Sequence, residues 1–125
     1  MSKTVLVTGS SRGIGRETAI YLAKNGFDIV LHCNKNISKT EDVKKEIEQL
    51  GQKARILQFD VSDRENTKET LLKDIEENEV YYGVVVNAGI TADNPFPIME
   101  DDEWDRVINT NLGGFYNTLK PVIII

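Results

Sequence analysis

The residues best suited to chemistry form a glycine-rich turn near the start of the chain. They are Thr8, Gly9, Ser10, Ser11, Arg12, Gly13, Ile14 and Gly15. An apolar run precedes the turn and an amphipathic segment follows it, an order that predicts strand, turn and helix. Glycines let the backbone approach a ligand with no Cβ in the way, and a helix start offers unpaired N–H groups to negative charge. We expect the turn to hold a pyrophosphate; the alternative is a tight turn without a ligand.

The spacing of these glycines indicates which phosphate ligand the turn would bind. It reads G-x-x-x-G-x-G, which differs from the common dinucleotide pattern G-x-G-x-x-G but serves the same physical purpose. No Lys-Ser or Lys-Thr pair follows the glycines, which argues against a P-loop for a nucleoside triphosphate. The turn therefore predicts a dinucleotide.

Residues after the second predicted strand indicate which dinucleotide this would be. A site that prefers NAD usually has an acidic residue there, which accepts hydrogen bonds from the ribose hydroxyls. This chain has Asn34 and Lys35 instead, and Arg12 lies in the glycine turn. These groups suit a 2′-phosphate, so we expect NADP(H); the alternative for either cation is a solvated surface charge.

The third and fourth predicted strands end in residues that could extend the same site. Asp60 could accept a hydrogen bond from an adenine amino group and Val61 could pack on the ring, or Asp60 could be only a turn residue ahead of a helix cap at Ser62. Small residues after the fourth strand would let the backbone run close under a ribose. They are Asn87, Ala88 and Gly89.

The last predicted helix has one polar residue on its apolar stripe. The stripe comprises Trp104, Val107, Ile108, Leu112, Phe115 and Leu119. Asn111 is three residues from Ile108 and four from Val107, so we expect it to be buried, where an amide without partners costs about 1–3 kcal/mol. It is either a core residue that fixes a neighbouring backbone or a functional one. Trp104 is interpreted as a core residue.

Strand and helix patterns alternate along the chain. Strands are predicted at residues 5–8, 27–33, 55–59 and 84–86, each followed by a helix. The fourth is β-branched throughout, which is expected of a strand covered on both faces. The third helix begins with a capping box at residues 62–65, and the last begins near Asp101. This order predicts an α/β fold, a Rossmann-type doubly wound parallel sheet with strands in the order 3-2-1-4. His32 and Cys33 are interpreted as strand residues that form no metal site.

The totals limit the class of protein. The chain has 125 residues, is 40% hydrophobic, carries a net charge of -5 and contains a single cysteine. These values predict a cytoplasmic protein of one domain, without a disulfide framework, a membrane span or general affinity for nucleic acid. The chain ends in an apolar run without a helix cap. We interpret residues 1–125 as the first half of a larger fold; a hydrophobic interaction tail is the alternative.

Four of these motifs together resemble the short-chain dehydrogenase/reductases. They are residues 8–15, Asp60-Val61, Asn87-Ala88-Gly89 and Asn109-Thr110-Asn111. Residues 87–94, followed by Asp102-Glu103-Trp104, are most similar to the bacterial 3-oxoacyl-[acyl-carrier-protein] reductases within that family. Acetoacetyl-CoA reductases and other short-chain reductases share much of this stretch.

The resemblance implies a set of contacts to NADP(H). The phosphates would be held by Gly9, Ser11, Arg12, Gly13 and Ile14. Asn34 would contact the ribose that carries the 2′-phosphate, and Asp60 and Val61 the adenine. The nicotinamide-side ribose would lie against Asn87, Ala88, Gly89 and Ile90. Asn111 matches the catalytic Asn of the family, which positions a lysine and a water chain for proton relay.

The resemblance also implies an activity. It is the NADPH-dependent reduction of 3-oxoacyl thioesters, linked to acyl-carrier protein or CoA, in fatty-acid synthesis by a homo-oligomer, since members of the family form tetramers. A catalytic Ser and a Tyr-x-x-x-Lys pair should follow on a later segment, so we expect the 125 residues alone to be inactive. Tyr116 and Lys120 have this spacing but lie on the helix of Asn111, and we reject them as the pair.

Two other functions stay open at this stage. The chain could be a dinucleotide-binding or assembly fragment without catalysis, because the proton donor is missing from its 125 residues. It could also belong to a short-chain dehydrogenase that acts on another carbonyl or alcohol. The downstream Ser and Tyr-x-x-x-Lys would separate the first of these from a reductase.

Overall fold

A parallel sheet with helices on both faces forms the fold. The computed structural model describes residues 3–89 and 98–123. The strands are β1 (Thr4–Val7), β2 (Asp28–Cys33), β3 (Ala54–Gln58) and β4 (Gly83–Val85). The helices are α1 (Gly13–Lys24), α2 (Ile37–Gln49), α3 (Arg64–Glu77), α4 (Asp101–Ile108), a π-helix (Asn109–Gly113) and α5 (Gly114–Val122). The strands are parallel in the order β3-β2-β1-β4, which confirms the predicted topology.

The two central strands, β1 and β2, are buried along their whole length. Their side chains alternate between two apolar layers, because successive residues of a strand point to opposite faces. Val5, Val7, Ile29 and Leu31 pack towards α1 and α2, whereas Leu6 and Val30 pack with Leu71 of α3. Burial on both faces explains why these strands read as continuous apolar runs. The carboxyl ends of the strands are thereby held rigidly at one edge.

Two predictions, one about the start of the third helix and one about the fourth strand, are wrong. Asp63, and not Ser62, caps α3, since its carboxylate accepts a hydrogen bond from the Asn66 N–H at 3.1 Å. The Ser62 hydroxyl is already engaged, because it donates to Oδ1 of Asp60 at 2.6 Å. Strand β4, expected to be covered on both faces, is only half-buried because it lies at the edge of the sheet.

The last predicted helix is divided by the π-helix into three consecutive segments. None of the residues of α4 is buried, and Trp104 is 52% exposed, so the interpretation of Trp104 as a core residue is wrong. The physical reason is that α4 contacts chiefly the π-helix that follows it, whereas α5 packs against α3. Asn117 of α5 strengthens that packing, because its Nδ2 donates to the Val61 carbonyl at 2.9 Å and its Oδ1 accepts from Arg64 at 3.2 Å.

A buried carboxylate joins β3 to α3. Asp74 accepts two hydrogen bonds from Arg55, both at 2.8 Å, and one from the Tyr81 hydroxyl at 2.6 Å. Asn78 donates to the same carboxylate at 3.2 Å. Burial, reinforced by the bond to Asp74, raises the pKa of the Tyr81 phenol, which therefore remains a donor. The network keeps a charged group satisfied in a layer that excludes water.

Replacing Tyr81 by Phe is expected to destabilise the protein by about 1.5–3 kcal/mol, because it removes a hydrogen bond to a buried charge. The exposed neighbour Tyr82 provides the matched control, since Tyr82→Phe is expected to change the free energy of unfolding by less than about 0.5 kcal/mol. Urea unfolding of both variants measures the difference. Equal losses would show that the Asp74 network adds no stability of its own.

Candidate functional site

A cleft of about 440 Å³ lies at the carboxyl ends of the strands. Its walls are the glycine turn after β1 and the residues that follow β2, β3 and β4. The predicted site residues that line it are Gly9, Ser11, Arg12, Gly13, Asn34, Lys35, Asp60, Val61, Asn87, Ala88 and Gly89. Four lining residues were not predicted: His32, Cys33, Asn36 and Thr110. The fold thus brings most of the predicted site together in one concave surface.

The remaining predicted residues do not line the cleft. Ser10 is fully buried beneath the turn, and Gly15 is buried in the first turn of α1. Ile14 is 78% exposed at the start of α1. Ile90 lies outside the described residues. Asn111 is exposed on the π-helix.

Hydrogen bonds fasten one side of the glycine turn to the end of β4. The Thr8 hydroxyl accepts from the backbone N–H groups of Asn87 at 2.9 Å and of Ala88 at 3.0 Å. In return, Nδ2 of Asn87 donates to the Gly9 carbonyl at 3.2 Å. The Thr8 N–H donates to Val85 at 3.0 Å. The residues after β1 and those after β4 therefore form one bonded unit.

His32 fastens the other side of the turn to β2 and β3. The Gly9 N–H donates to Nδ1 of His32 at 2.9 Å, and Nε2 of His32 lies 2.8 Å from the Phe59 carbonyl oxygen. Ser10 and His32 are also joined through their backbones, since the Ser10 N–H donates to the His32 carbonyl at 3.1 Å. The His32 N–H donates to the Ser10 hydroxyl at 2.9 Å. The sequence signal was an imidazole near the end of a strand whose middle, Ile29 to Leu31, is apolar.

These partners determine the protonation state of His32. A backbone N–H can only donate, so Nδ1 must accept; a carbonyl oxygen can only accept, so Nε2 must carry the proton. The ring is therefore neutral. Burial lowers the pKa of His32 below its usual 6.5, and the bond to Phe59 and the charge of Asp60 offset part of this effect.

The glycines of the turn permit approaches that a side chain would block. A Cβ on Gly15 would overlap the Gly9 carbonyl oxygen and would lie 2.6 Å from Nδ2 of Asn87. Gly9 itself has a φ of 63°, and a Cβ there would lie 3.0 Å from the Cα of Ala88. Gly13 has open space around it but a φ of 59°, a conformation that side chains rarely adopt. The backbone of the turn can therefore face the cleft without side chains in between.

The cleft carries positive charge that the protein leaves available. Arg12 and Lys35 are exposed, and within residues 3–89 and 98–123 neither forms an ion pair with a carboxylate. No side chain caps the first turn of α1, whose backbone N–H groups begin beside Gly13. Two cations and an uncapped helix start favour an anionic ligand, although the net charge of the chain is -5.

One carboxylate oxygen of Asp60 is hydrogen-bonded within its own loop. Its Oδ1 accepts hydrogen bonds from the Ser62 N–H at 2.9 Å and from the Ser62 hydroxyl, which gives Asp60 the turn role considered from the sequence. The side chain nevertheless lines the cleft. Val61 also lines it, but its side chain packs beneath α5, where a Cβ on Gly114 would lie 2.7 Å from Val61 Cγ2.

Asn111 lies beside the end of β4 and not in the core. A Cβ added to Gly89 would be 2.7 Å from Oδ1 of Asn111. The prediction that Asn111 is buried on the apolar stripe is wrong, because it is exposed and lies within the π-helix Asn109–Gly113. A π-helix has a wider turn than an α-helix, so the 3.6-residue phase used for the prediction is lost there. Thr110, one residue earlier, reaches the cleft.

A second depression, of about 460 Å³, lies at the opposite edge of the sheet. It is near the amino ends of the strands, and its lining includes the carboxylates of Asp28, Glu48 and Glu79. Asp28 is engaged there, since its carboxylate accepts from the Lys53 N–H at 2.9 Å. Size does not distinguish the two depressions, but only the first combines unpaired cations with a helix start.

Neither a metal site nor a membrane-spanning helix is found among the described residues. Among the residues that the structure describes, no group of three His, Cys, Asp or Glu side chains is placed to hold a metal ion. In the same residues, no helix has both the length and the apolar composition needed to cross a bilayer.

Comparison with known proteins identifies the class to which this fold and site belong. The sequence pattern of the short chain dehydrogenase family matches residues 3–124. The chain is therefore a member of the short-chain dehydrogenase family of oxidoreductases, as the four motifs suggested. Its sheet and helices are those of the family's dinucleotide-binding fold.

Curated relatives within the family are 3-oxoacyl-[acyl-carrier-protein] reductases. That of Aggregatibacter actinomycetemcomitans is 54% identical over 124 residues, which are 99% of this chain and 51% of the relative. That of Staphylococcus epidermidis is 38% identical over 122 residues, which are 98% of this chain and 50% of the relative. The chain thus spans about half the length of the curated relatives it matches.

Solved structures agree with the fold. An alcohol dehydrogenase from the archaeon Thermococcus sibiricus, complexed with 5-hydroxy-NADP, is 30% identical with a TM-score of 0.91; the match covers 98% of this chain and 52% of that one. A putative short-chain alcohol dehydrogenase from Sinorhizobium meliloti is 28% identical with a TM-score of 0.89, over 98% of this chain and 48% of that one.

Replacing Gly15 by Ala is expected to destabilise the protein by about 1–3 kcal/mol, because the new Cβ overlaps backbone that is already bonded on both sides. Gly83→Ala is the control, since its Cβ would meet only Val5 methyl groups at 3.8 Å or more. Thermal unfolding of the two variants measures the effect. A Gly15→Ala variant as stable as Gly83→Ala would contradict the close contact between the turn and α1.

Proposed function

We propose that this chain is the cofactor-binding part of an NADPH-dependent reductase that converts 3-oxoacyl thioesters, carried by acyl-carrier protein or CoA, to 3-hydroxyacyl thioesters. The observation that carries the proposal is the cleft that joins the glycine turn to unpaired Arg12 and Lys35. The choice of substrate rests on the 54% identity to a 3-oxoacyl-[acyl-carrier-protein] reductase. Because the match covers half of that relative, the activity belongs to the proposal.

The residues of the cleft fit the proposed cofactor part by part. The uncapped start of α1 and the backbone of Ser11 to Gly13 suit a pyrophosphate, because no side chain caps the helix start and these residues line the cleft. Arg12, Asn34 and Lys35 suit a 2′-phosphate, and no acidic residue stands after β2 to repel it. In this assignment Asp60 and Val61 border the adenine. Gly89 and Asn111 border the nicotinamide side.

The chemistry can be divided between the cofactor and the chain. When bound, a reduced nicotinamide supplies a hydride to the carbonyl carbon of the substrate. The chain orients it: the turn holds the phosphates, and Asn87 keeps the end of β4 fixed against that turn through its bond to Gly9. Asn111 is proposed as a positioning residue for the proton relay, because it lies against Gly89 at the nicotinamide end of the cleft.

The proton donor is expected on residues that these 125 do not include, since a Ser and Tyr-x-x-x-Lys of the family type are not found there. Tyr116 and Lys120 line a separate groove beside Arg64, with the Arg64 guanidinium 5.3 Å from the centre of the Tyr116 ring. This position keeps them away from the cleft and supports their rejection as the catalytic pair. We therefore propose that the 125 residues alone bind the cofactor without turnover.

Two other functions are compatible with the same cleft. The structural similarity to alcohol dehydrogenases at 28–30% identity favours a short-chain enzyme for a different carbonyl or alcohol. A dinucleotide-binding or assembly fragment without catalysis is the other. Activity of the full-length protein on a 3-oxoacyl thioester, compared with a simple ketone, distinguishes these functions.

Reversing the charge of Lys35 tests the cofactor preference. Lys35→Glu is expected to weaken NADP⁺ binding about tenfold or more, since a charged contact to the 2′-phosphate becomes a repulsion, and to leave NAD⁺ binding nearly unchanged. Lys39→Glu is the matched control, because Lys39 is equally exposed but lies on α2 outside the cleft. Calorimetric titration of each variant with NADP⁺ and with NAD⁺ gives the ratio of the two dissociation constants. Equal effects of the two substitutions would rule out Lys35 as a phosphate contact.

Truncating Asn111 tests the catalytic end of the cleft in the full-length protein. Asn111→Ala is expected to lower kcat about 100-fold, the scale of a proton-transfer contribution, with the Kd for NADPH unchanged. Asn109→Ala, an exposed position on the same π-helix, is expected to leave both values unchanged. Oxidation of NADPH with an acetoacetyl thioester provides the rate. A variant with normal kcat would remove Asn111 from the relay.

A further inference from the structure

His32 occupies a position in the cleft that the proposed contacts to the cofactor do not explain. The residue is only 2% exposed, yet it borders the cleft and joins the end of β2, on which it lies, to the turn after β1 and to the end of β3. The contacts are to Gly9 after β1, to Ser10 through the backbone of β2, and to Phe59 after β3. A buried ring with both nitrogens bonded to backbone has a fixed orientation, so it acts as a spacer between the glycine turn and the end of β3.

The bond to Gly9 bears directly on the phosphate site. Gly9 has the positive φ of 63° that turns the chain towards α1, and its N–H would point inwards with no acceptor if the imidazole nitrogen were removed. On the other side of the same residue, the Gly9 carbonyl is held by Asn87. His32 thus binds the N–H of Gly9, while Asn87, after β4, binds its carbonyl oxygen.

Protonation of the ring would turn the hydrogen bond between the Gly9 N–H and Nδ1 into a repulsive contact. Protonated imidazole carries hydrogens on both nitrogens, so Nδ1 would then face the Gly9 N–H with a hydrogen of its own. The two donors repel, and either Gly9 or the ring must move. The ionisable side chains around the ring are Asp60 on the β3 side, Cys33 and Lys35 at the end of β2, and Arg12 in the turn. None of these occupies a nitrogen of the ring, because both nitrogens are bonded to backbone.

We propose, resting on the dinucleotide site described above, that His32 is a positioning residue that holds the glycine turn in its phosphate-binding conformation only while its ring is neutral. Protonation of His32 therefore weakens cofactor binding. The device makes the affinity for the dinucleotide depend on pH through a residue that does not contact the dinucleotide.

Two substitutions test the contacts of Nδ1 and Nε2 separately. His32→Asn places an amide oxygen near the position of Nδ1, so it can accept from Gly9 but cannot be protonated or reach Phe59. His32→Gln extends towards the position of Nε2, so it can donate to Phe59 but leaves the Gly9 N–H without its acceptor. Both variants keep Arg12, Lys35, Asp60 and Cys33, so any titration of those groups persists in them.

The test is calorimetric titration of the full-length protein with NADP⁺ between pH 5 and pH 8. In the wild type the affinity is expected to fall as the pH is lowered, approaching a tenfold loss per pH unit below the pKa of His32. His32→Asn is expected to bind with nearly wild-type affinity at pH 8 and to lose this part of the pH dependence. His32→Gln is expected to bind about tenfold more weakly at every pH, the effect of one lost hydrogen bond.

Folding is monitored by circular dichroism in the same buffers. Since the unfolded chain binds a proton near pH 6.5 and the folded ring resists it, the wild type loses stability as the pH falls below 6.5. Affinities are compared only where each variant is folded. The 2′-phosphate of NADP⁺ also titrates in this range, but it does so equally for all variants, so the ratio of wild type to His32→Asn is the quantity of interest.

Identical pH profiles for wild type and His32→Asn would overturn the inference, and so would wild-type affinity of His32→Gln at pH 8. Failure of the wild type to bind NADP⁺ at any pH would instead overturn the proposed function, together with the inference that rests on it. Should either variant fail to fold, NMR of the wild type decides. The Gly9 amide must shift with the same midpoint as the His32 ring nitrogens, and a ring that titrates without moving Gly9 refutes the coupling.

Discussion

The site depends on the way in which residues 8–10, which follow β1, are held between β2 and β4, the two strands that flank β1. Thr8 and Asn87 bond the turn to the end of β4, while His32 and Ser10 bond it to β2. A glycine turn by itself has many conformations, and ordering it costs entropy. Bonds on both sides fix one conformation of the turn before any ligand arrives, with Ser11, Arg12 and Gly13 lining the cleft. Pre-organisation of this kind reduces the cost of binding an anion.

Charge in the cleft differs in sign from the charge of the whole chain. With a net charge of -5, general attraction cannot bring an anionic cofactor to the protein. Arg12, Lys35 and the uncapped start of α1 supply positive potential locally, at the edge of the described sheet where the glycine turn and the residues after β2, β3 and β4 meet. The depression at the opposite edge is lined by the carboxylates of Asp28, Glu48 and Glu79 as well as by Lys53 and Arg55, and no helix among the described residues starts beside it. The proposed anion site is therefore at the carboxyl edge of the sheet.

Much of this arrangement could be predicted from the sequence, because it depends on local patterns. Alternating apolar runs and glycine turns determine the strand order, and the residues after each strand meet at one edge by geometry alone. The errors have physical causes that a pattern does not contain. Asn111 was expected in the core because the pattern assumed the 3.6-residue period of an α-helix. The π-helix Asn109–Gly113 changes the phase of the side chains, so Asn111 is exposed instead. Ser62 is not the helix cap because Asp60 engages its hydroxyl. His32 was interpreted only as a strand residue, because the partners of its ring are backbone groups distant in the sequence.

The central claim is that the glycine turn at the carboxyl edge of the sheet binds the pyrophosphate of a dinucleotide. It is tested most directly by ¹H–¹⁵N correlation spectra of the full-length protein during titration with NADP⁺. The account predicts saturable shifts that are largest at the amides of Ser11, Arg12, Gly13 and Ile14, followed by those of Asn34 and Lys35. Saturable shifts located elsewhere, or none at the start of α1, would contradict it.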